Sequence, residues 1–174
     1  MNIREATSND LPALSQLAQK TYSETFGHSM STTELETELK SNKSETYFKN
    51  AIEKDKDTFL IAETNNIIIG YIGLRDPNFT MTGHQPTSKD QALNGIYVDS
   101  DHQGQGIGRK LMDVAFNHPR FLKAENIYLS VWEENKPAYN FYLNYGFKVV
   151  GEREIIINGK IVGQDLVLMR PTKT

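Results

Sequence analysis

An Asn-Gly pair between two long β-rich runs constrains the fold of this chain more than any other feature of its sequence. The pair is Asn158-Gly159, and the flanking runs cover residues 147–157 and 161–169. Both residue types accept the positive φ that a two-residue hairpin turn needs, so the pattern is a strong hairpin signal. The two runs are therefore expected to pair as neighbouring antiparallel strands.

A second hairpin is expected nearer the middle of the chain. Residues 64–66 read Thr-Asn-Asn and join the β-rich runs 59–63 and 67–74, and asparagine tolerates the positive φ of a tight turn. The spacing of apolar residues predicts further strands and helices along the chain. These are strands over residues 2–6, 92–98 and 126–132 and helices over residues 11–22, 32–53, 106–118 and 137–145.

The elements alternate between hairpins and helical crossovers. Their order is β-α-α-β-β-β-α-β-α-β-β, which contains seven strands. Hairpins pair strands antiparallel and helical crossovers pair them parallel, so the pattern predicts an α/β (mixed α+β) fold with helices on the faces of one sheet. The chain has 174 residues, no internal repeat and no linker-like stretch. We therefore expect a single domain over residues 1–174.

Composition and charge narrow the classes of function. Cysteine is absent, which excludes disulfides and any site built on a thiol. A net charge of −3 gives no indication of nucleic-acid binding, and no apolar stretch resembles a signal peptide or a membrane span. The histidines, at positions 28, 84, 102 and 118, lack the spacing of metal ligands, so we expect no metal. These features favour a cytoplasmic protein without nucleic-acid or membrane partners.

Three closely spaced glycines lie between an expected strand and an expected helix. They are Gly104, Gly106 and Gly108. Glycines let the backbone approach a ligand closely, and the N–H groups at a helix start form an anion site that suits a pyrophosphate. The spacing matches neither the P-loop nor the dinucleotide-binding GxGxxG motif. The alternative is a turn that is rich in glycine without binding anything.

The glycine-rich segment reads Gln103-x-x-Gly106-x-Gly108 and resembles the acetyl-CoA motif of the GNAT superfamily, Gln/Arg-x-x-Gly-x-Gly/Ala. The resemblance implies a mostly antiparallel central sheet of about seven strands with helices on both faces, and acetyl-CoA as co-substrate without a metal. It also implies that backbone groups of the preceding strand pair with the pantetheine arm and that the loop holds the CoA pyrophosphate. The matching positions are Ile96, Tyr97 and Val98 on the strand, and Gln103, Gly104, Gly106, Ile107, Gly108 and Arg109 in and after the loop.

A second motif follows downstream and is similar to the C-terminal motif of the same superfamily. It reads Asn135-x-x-Ala138-x-x-Phe141-Tyr142-x-x-Tyr145-Gly146-Phe147. The resemblance implies that Asn135 contacts CoA and that Tyr142 faces its sulfur, where a tyrosine can protonate the leaving thiolate. Two simpler interpretations stay open. Tyr142 lies at helical spacing from its aromatic neighbours and would pack in a core, and Asn135 would cap a helix.

Within this superfamily the chain most resembles the PaiA-type bacterial acetyltransferases, which act on spermidine and spermine. Residues 21–26 (Thr-Tyr-Ser-Glu-Thr-Phe) and 129–135 (Leu-Ser-Val-Trp-Glu-Glu-Asn) carry this resemblance. It implies a small-molecule amine as the acceptor, with Glu24, Trp132 and Glu133 as candidate substrate-binding residues. The alternatives are that Trp132 belongs to the core or a sheet face and that Glu133 is solvated loop charge.

The general base has no assigned residue. Asn94 stands where the family often shows a carboxylate, and Glu24 and Glu133 are candidates by charge alone. Two other functions are considered: a protein or peptide N-acetyltransferase, and a CoA-binding sensor that has lost catalysis. The presence of Tyr142 argues against the sensor. A homodimer is among the assemblies that the sequence permits.

Overall fold

The computed structural model describes residues 1–78, 80–83 and 85–172. It contains a seven-stranded sheet in the order β1-β2-β3-β4-β5-β7-β6. The β4–β5 pair is parallel, whereas β1–β2, β2–β3, β5–β7 and β6–β7 are antiparallel, so the predicted mixed and mostly antiparallel sheet is confirmed. The strands are Asn2–Glu5 (β1), Thr58–Thr64 (β2), Ile67–Arg75 (β3), Gln91–Val98 (β4), Asn126–Trp132 (β5), Lys148–Ile157 (β6) and Lys160–Pro171 (β7), and the helices are Leu11–Phe26 (α1), Thr32–Asn42 (α2), Glu45–Glu53 (α3), Ile107–Phe116 (α4), Pro119–Lys123 (α5) and Lys136–Asn144 (α6).

Both predicted hairpins are present. Asn65 and Asn66, between β2 and β3, have φ angles of 51° and 61°. Asn158 and Gly159, between β6 and β7, have φ angles of 52° and 75°. Positive φ at both central residues is the geometry whose twist matches the flanking strands, and it explains why asparagine and glycine occupy these turns.

The expected helix over residues 32–53 is instead two helices, α2 and α3. Lys43 leaves the helical region with a φ of −136°, and Ser44 then starts α3 as its N-cap. The Tyr47 backbone N–H donates to Ser44 Oγ at 3.2 Å. Serine competes well for a cap position, so a local hydrogen bond divides a stretch that apolar spacing alone joins.

The sequence analysis also missed the short helix α5. The expected helix over residues 106–118 ends at Phe116, and His118 caps the next helix. The Arg120 backbone N–H donates to His118 Nδ1 at 3.2 Å, and Pro119 occupies the first turn, where its missing N–H costs nothing.

The described residues fall into two compact units. The first unit comprises residues 1–74 and 96–117, and the second comprises residues 75–95 and 118–174 as far as they are described. Strand β4 contributes residues to both. Among the described residues, no helix combines the length and the apolar character needed to cross a membrane.

The core of the first unit is built on aromatic packing between α3 and the β2–β3 hairpin. Phe48 contacts Phe59 and Tyr71 edge-on, with ring centroids 5.0 and 6.0 Å apart. Tyr71 also stacks on Tyr97 of β4, with centroids 5.1 Å apart. Such pairs contribute about 0.5–1.5 kcal/mol each beyond the area they bury. This packing fixes the β4 backbone at Tyr97 against a rigid core.

The second unit is held by the long pairing of β7 with β5 and β6. Tyr128 of β5 and Val167 of β7 are fully buried and pack with Met81. Gly151 of β6 faces the segment around Met81, and a side chain there would collide with the Thr82 carbonyl oxygen. Glycine at 151 is therefore required by close backbone approach.

One ion-pair network joins three elements of the first unit. Arg4 on β1 makes two hydrogen bonds of 2.8 Å to the Asp10 carboxylate, and its guanidinium also lies 2.9 Å from Glu63 on β2. Asp10 in turn accepts from the backbone N–H of Thr7 at 2.7 Å. The hydrogen bonds from Arg4 hold the pKa of the Asp10 carboxyl well below its usual range.

We predict that Asp10→Asn lowers the free energy of unfolding at neutral pH by about 1–3 kcal/mol, because charge-assisted hydrogen bonds to Arg4 are weakened. The pKa of Asp10 is lower in the folded state, so its contribution is complete above the unfolded pKa of about 4 and is lost as the pH falls toward the folded pKa. Urea unfolding at pH 7 and at about pH 2.5 measures both effects.

The matched control is Asp55→Asn, which changes an exposed aspartate. It is expected to leave stability nearly unchanged at either pH. A difference between Asp10→Asn and the wild type that stays constant from pH 7 to acid would contradict the electrostatic explanation.

Candidate functional site

The chain turns from β4 toward α4 around Asp99. The Asp99 backbone N–H donates to the Ile69 carbonyl of β3 at 2.9 Å, which anchors the end of β4. The Asp99 side chain accepts from the Asp101 N–H at 3.0 Å, and its carbonyl accepts from the His102 N–H at 2.9 Å. These bonds build a short 3₁₀ turn over Ser100–His102 that delivers the chain into the glycine-rich loop.

The glycine-rich loop has the backbone conformation that only glycine adopts easily. Gly104 and Gly106 have φ angles of 75° and 76°, and the space where each Cβ would lie is open. The loop from Gln103 to Gly106 is exposed. Glycine is therefore needed here for conformation and for outside access to the backbone, because no neighbouring group of the protein crowds it.

Helix α4 begins directly after this loop. Gly106 is its N-cap, and the first intrahelical bond runs from the Lys110 N–H to the Gly106 carbonyl at 3.1 Å. Ile107 is buried and fixes the start of the helix, while Gly108 and Arg109 complete the first turn. The N–H groups of a first helical turn lie outside the intrahelical ladder and attract anions. The donor set of this loop fits a phosphate group.

A cleft of about 430 Å³ lies beside this loop in the first unit. Gln103 lines this cleft, and its Nε2 donates to the Val98 carbonyl at 3.2 Å. The walls come from α1, the end of β4 and the 3₁₀ turn, and the lining residues are Thr21, Glu24, Thr25, Ile96, Tyr97, Val98, Ser100 and Gln103.

The cleft therefore brings together candidate site residues that lie in two separate segments of the sequence. Glu24, the candidate for acceptor binding, lines the same space as Ile96, Tyr97 and Val98. Gly70 of β3 permits the close approach of the β4 backbone at Tyr97, because a Cβ at position 70 would meet the Tyr97 carbonyl oxygen at 3.1 Å.

A cluster of charges connects α1 to the turn after β4. Lys20 Nζ lies 3.1 and 3.0 Å from the two carboxylate oxygens of Asp99 and 3.6 Å from the nearer Asp101 oxygen. One turn further along α1, Glu24 accepts a hydrogen bond of 3.2 Å from Ser100 Oγ. Burial acts to raise the pKa of Asp99, but the hydrogen bonds from Lys20 and the Asp101 N–H outweigh it and lower that pKa. The sequence analysis did not include Lys20.

In the second unit, Asn135 caps α6. Its Oδ1 accepts from the Ala138 N–H at 3.2 Å, so the capping role that the sequence suggested is present. Tyr142 lies two turns further on and is 4% exposed. Its ring packs against Phe141 and Phe147, with centroids 5.6 and 6.0 Å away. Tyr142 is therefore a core aromatic residue, as its helical spacing suggested. This packing is compatible with a catalytic role for its hydroxyl.

Trp132 and Glu133, also in the second unit, are half-buried at the end of β5. The indole of Trp132 lies against Gly163 of β7, where an added Cβ would be 3.4 Å from its Nε1. The Glu133 N–H donates to the Gln164 carbonyl at 3.2 Å, which holds this segment on β7. Trp132 is therefore on a partly exposed sheet face and is not a core residue.

Asp165 is a buried carboxylate that sequence reasoning missed. It pairs with Trp132 across the β5–β7 ladder, is 8% exposed, and accepts from Arg153 Nε at 3.1 Å. Burial raises its pKa above the ordinary value, against the opposing effects of Arg153 and Ser130. An aspartate inside the mostly apolar run 161–169 was the available signal.

Position 94 is an asparagine, so no carboxylate stands where the family often shows one. Asn94 is half-buried on β4, next to Gly95, whose φ of 77° interrupts the regular strand. Over the described residues, no group of three or more His, Asp or Glu side chains is arranged to hold a metal. His84 lies outside the described residues.

Two enzymes with different substrates are similar to this chain. Spermine/spermidine N(1)-acetyltransferase of Bacillus subtilis (strain 168) is 32% identical over 91 residues, which span 48% of this chain and 59% of that enzyme. The aligned part is thus less than two thirds of that enzyme's length. Peptidyl-lysine N-acetyltransferase YiaC of Escherichia coli (strain K12) is 27% identical over 155 residues, or 85% of this chain and 84% of that one.

Solved structures share the fold. PaiA N-acetyltransferase from Thermoplasma acidophilum, in complex with coenzyme A, superposes with a TM-score of 0.77 and covers 98% of both chains at 21% identity. The family model described as the acetyltransferase (GNAT) family matches residues 11–147, which is most of the chain. The protein therefore belongs to the GNAT family of N-acetyltransferases.

Proposed function

We propose that the protein transfers the acetyl group of acetyl-CoA to a primary amine and that the amine belongs to a polyamine such as spermidine or spermine. One observation carries this proposal: Glu24 lines the same cleft as Ile96, Tyr97 and Val98. A carboxylate that can hold an ammonium group is therefore placed beside the strand expected to hold the pantetheine arm.

The glycine-rich loop supplies the fit for the co-substrate. Acetyl-CoA contributes the acetyl group as an activated thioester. Gly104 and Gly106 leave the backbone open to a pyrophosphate, and Ile107 and Gly108 present the first N–H groups of α4 to it. Arg109 adds a positive charge in the same helical turn. Binding at the loop orients the reactive end, and orientation can supply about 7–11 kcal/mol of the barrier.

Tyr142 is the proposed proton donor. When the amine nitrogen bonds to the acetyl carbon, the carbon–sulfur bond breaks and the sulfur leaves as a thiolate. A tyrosine hydroxyl can protonate that thiolate, and the second proton that the nitrogen loses as the amide forms restores the neutral tyrosine. The packing of the Tyr142 ring against Phe141 and Phe147 fixes the direction of its hydroxyl. The ammonium of the acceptor must lose a proton first, and we propose that water or a carboxylate such as Glu24 or Glu133 takes it.

The choice of acceptor rests on charge and resemblance together. The relative from Bacillus subtilis is named for spermine and spermidine. A polyamine has little shape but several spaced charges, so it is recognised by carboxylates. Peptide lysine is the second candidate, because the alignment with the peptidyl-lysine enzyme covers 85% of this chain. A non-catalytic CoA sensor would need no tyrosine at position 142.

We propose one catalytic domain that works in the cytoplasm on a small-molecule amine, without a metal and without a nucleic-acid or membrane partner. A homodimer is the assembly we would test first.

We predict that Gly106→Val weakens CoA binding at least about tenfold, which is about 1.4 kcal/mol. A side chain at this position would block the approach of a pyrophosphate to the backbone, and a β-branched residue would resist the φ of 76°. Isothermal titration calorimetry with CoA measures the change.

Gly159→Val is the matched control, because Gly159 also has a positive φ, of 75°, and open space around it. It carries the same backbone strain outside the loop and should keep wild-type affinity. Equal affinity in a folded Gly106→Val protein would place the pyrophosphate elsewhere.

We predict that Tyr142→Phe lowers kcat by about 10²–10⁴ and leaves CoA affinity nearly unchanged, because it removes a general acid but keeps the aromatic packing. Release of free thiol at saturating acetyl-CoA and amine measures kcat. Tyr139→Phe, on the same helix, is the control and should behave like the wild type. A Tyr142→Phe enzyme with wild-type kcat, where chemistry limits the rate, would exclude the role.

We predict that Glu24→Gln and Glu133→Gln each raise KM for spermidine about threefold to thirtyfold and affect a monoamine less. The loss should shrink as salt rises, because the partly exposed charges are screened. Comparing kcat/KM for spermidine and a monoamine at low and high salt measures the difference. Glu134→Gln, an exposed neighbour, is the control. Equal losses for both amines would favour the peptide-lysine alternative or another acceptor.

A further inference from the structure

Lys20 has no contact role in the proposed chemistry, yet its position is tightly defined. Its Nζ lies 3.1 and 3.0 Å from both oxygens of Asp99, with Asp101 and Glu24 next nearest at 3.6 and 4.0 Å. The Lys20 side chain is 40% exposed and that of Asp99 is 16% exposed. A cation that contacts both oxygens of a mostly buried carboxylate is held more firmly than most surface lysines.

Asp99 is the residue through which Lys20 reaches the loop. Its backbone is anchored to Ile69, and its side chain caps the 3₁₀ turn by accepting from the Asp101 N–H. The turn leads into Gln103, whose N–H donates to the Ser100 carbonyl at 3.3 Å. The carboxylate that Lys20 neutralises therefore sets the direction in which the glycine-rich loop leaves β4.

Helix α1 contacts the same turn at a second point. Glu24, one helical turn after Lys20, accepts from Ser100 Oγ at 3.2 Å. Two contacts thus fix the 3₁₀ turn to α1. Lys20 forms an ion pair with Asp99, which directly precedes the turn, and Glu24 accepts a hydrogen bond from Ser100, its first residue. Two attachments on one face of a helix define the orientation of the turn better than either does alone.

We propose that Lys20 is a positioning residue for the pyrophosphate loop: it holds Asp99 and thereby orients the loop for CoA without touching CoA itself. This inference rests on the proposed function of the loop. It gives α1 a role in co-substrate binding, in addition to the wall of the cleft that its residues Thr21, Glu24 and Thr25 form.

The test compares Lys20→Met, Lys20→Arg and the control Lys49→Met, which removes an exposed lysine from α3. Lys20→Met should raise the Kd for CoA and the KM for acetyl-CoA about threefold to tenfold while kcat at saturation stays near wild type, because the turn before the loop loses one of its two attachments to α1. Lys20→Arg should recover most of the affinity, and Lys49→Met should change nothing. A purely structural role would lower kcat and the melting temperature together.

Asp99→Asn separates indirect from direct action. Asparagine keeps the oxygen that caps the turn but loses the charge that holds Lys20. If Lys20 acts through Asp99, the two single variants lose similar affinity and the double variant loses no more than either. If Lys20 instead binds a phosphate directly, Asp99→Asn frees it and preserves or raises CoA affinity.

The outcomes separate a failure of the proposed function from a failure of the inference about Lys20. Wild-type protein that binds no CoA in calorimetry would contradict the proposed function, and this inference would fall with it. Wild-type protein that binds CoA, together with a Lys20→Met variant of unchanged affinity or with additive losses in the double variant, would overturn the inference alone.

Discussion

The organisation of the first unit around the cleft depends on the hydrogen bonds of one carboxylate-bearing residue, Asp99. Its backbone ends β4 on β3, its side chain caps the turn that follows, and its charge is neutralised by Lys20 on α1. Together these contacts give the chain a defined direction from the strand into the loop. The two left-handed glycines then complete the change of direction, and α4 starts directly after them with its first N–H groups outside the intrahelical ladder. A glycine-rich sequence alone permits many loop shapes, so the specificity of this one comes from the polar contacts that precede it.

The elements that sequence predicted well are those whose determinants are local. The turn at Asn158-Gly159 and the glycines of the loop carry their conformational preference in two or three neighbouring residues, and both were found. Ser44 was also a local signal, an N-cap residue inside a polar stretch, but apolar spacing was given more weight and one helix was expected where two exist. The pairing of Lys20 with Asp99 spans 79 positions and involves common surface residue types. No periodicity or motif marks such a pair, because only the packing of α1 beside β4 brings the two side chains together.

Burial could be predicted from the sequence where apolar spacing indicates it, but not where the buried residue is charged. Tyr142 lies in an aromatic cluster, as helical spacing predicted, while the chemical role that a motif gave it stays a prediction. The two interpretations are not exclusive, because a catalytic hydroxyl needs a ring that cannot rotate away. Asp165 presents the opposite case. It lies in a mostly apolar segment, and only the pairing of β7 with β5 and β6 shows that a charged Arg153 and a half-buried Trp132 share its face of the sheet. A carboxylate of raised pKa in that position exchanges a proton closer to neutral pH than an exposed aspartate does.

The charges around Glu24 bear on whether one helix can serve both substrates. Lys20 is the cation nearest to Glu24 in this cluster, and a positive acceptor approaching Glu24 would be repelled by it if its charge were not compensated. Lys20 lies 3.0–3.1 Å from Asp99 and 3.6 Å from Asp101, but 4.0 Å from Glu24. Since Coulomb attraction falls with distance, its charge is balanced mainly by the two aspartates. The negative charge of Glu24 is therefore compensated only in part by Lys20, and Ser100 donates only a neutral hydrogen bond to it. The uncompensated charge can attract a cation in the cleft. In the proposed function, α1 therefore steadies the loop with one side chain and attracts an ammonium group with another, one helical turn apart.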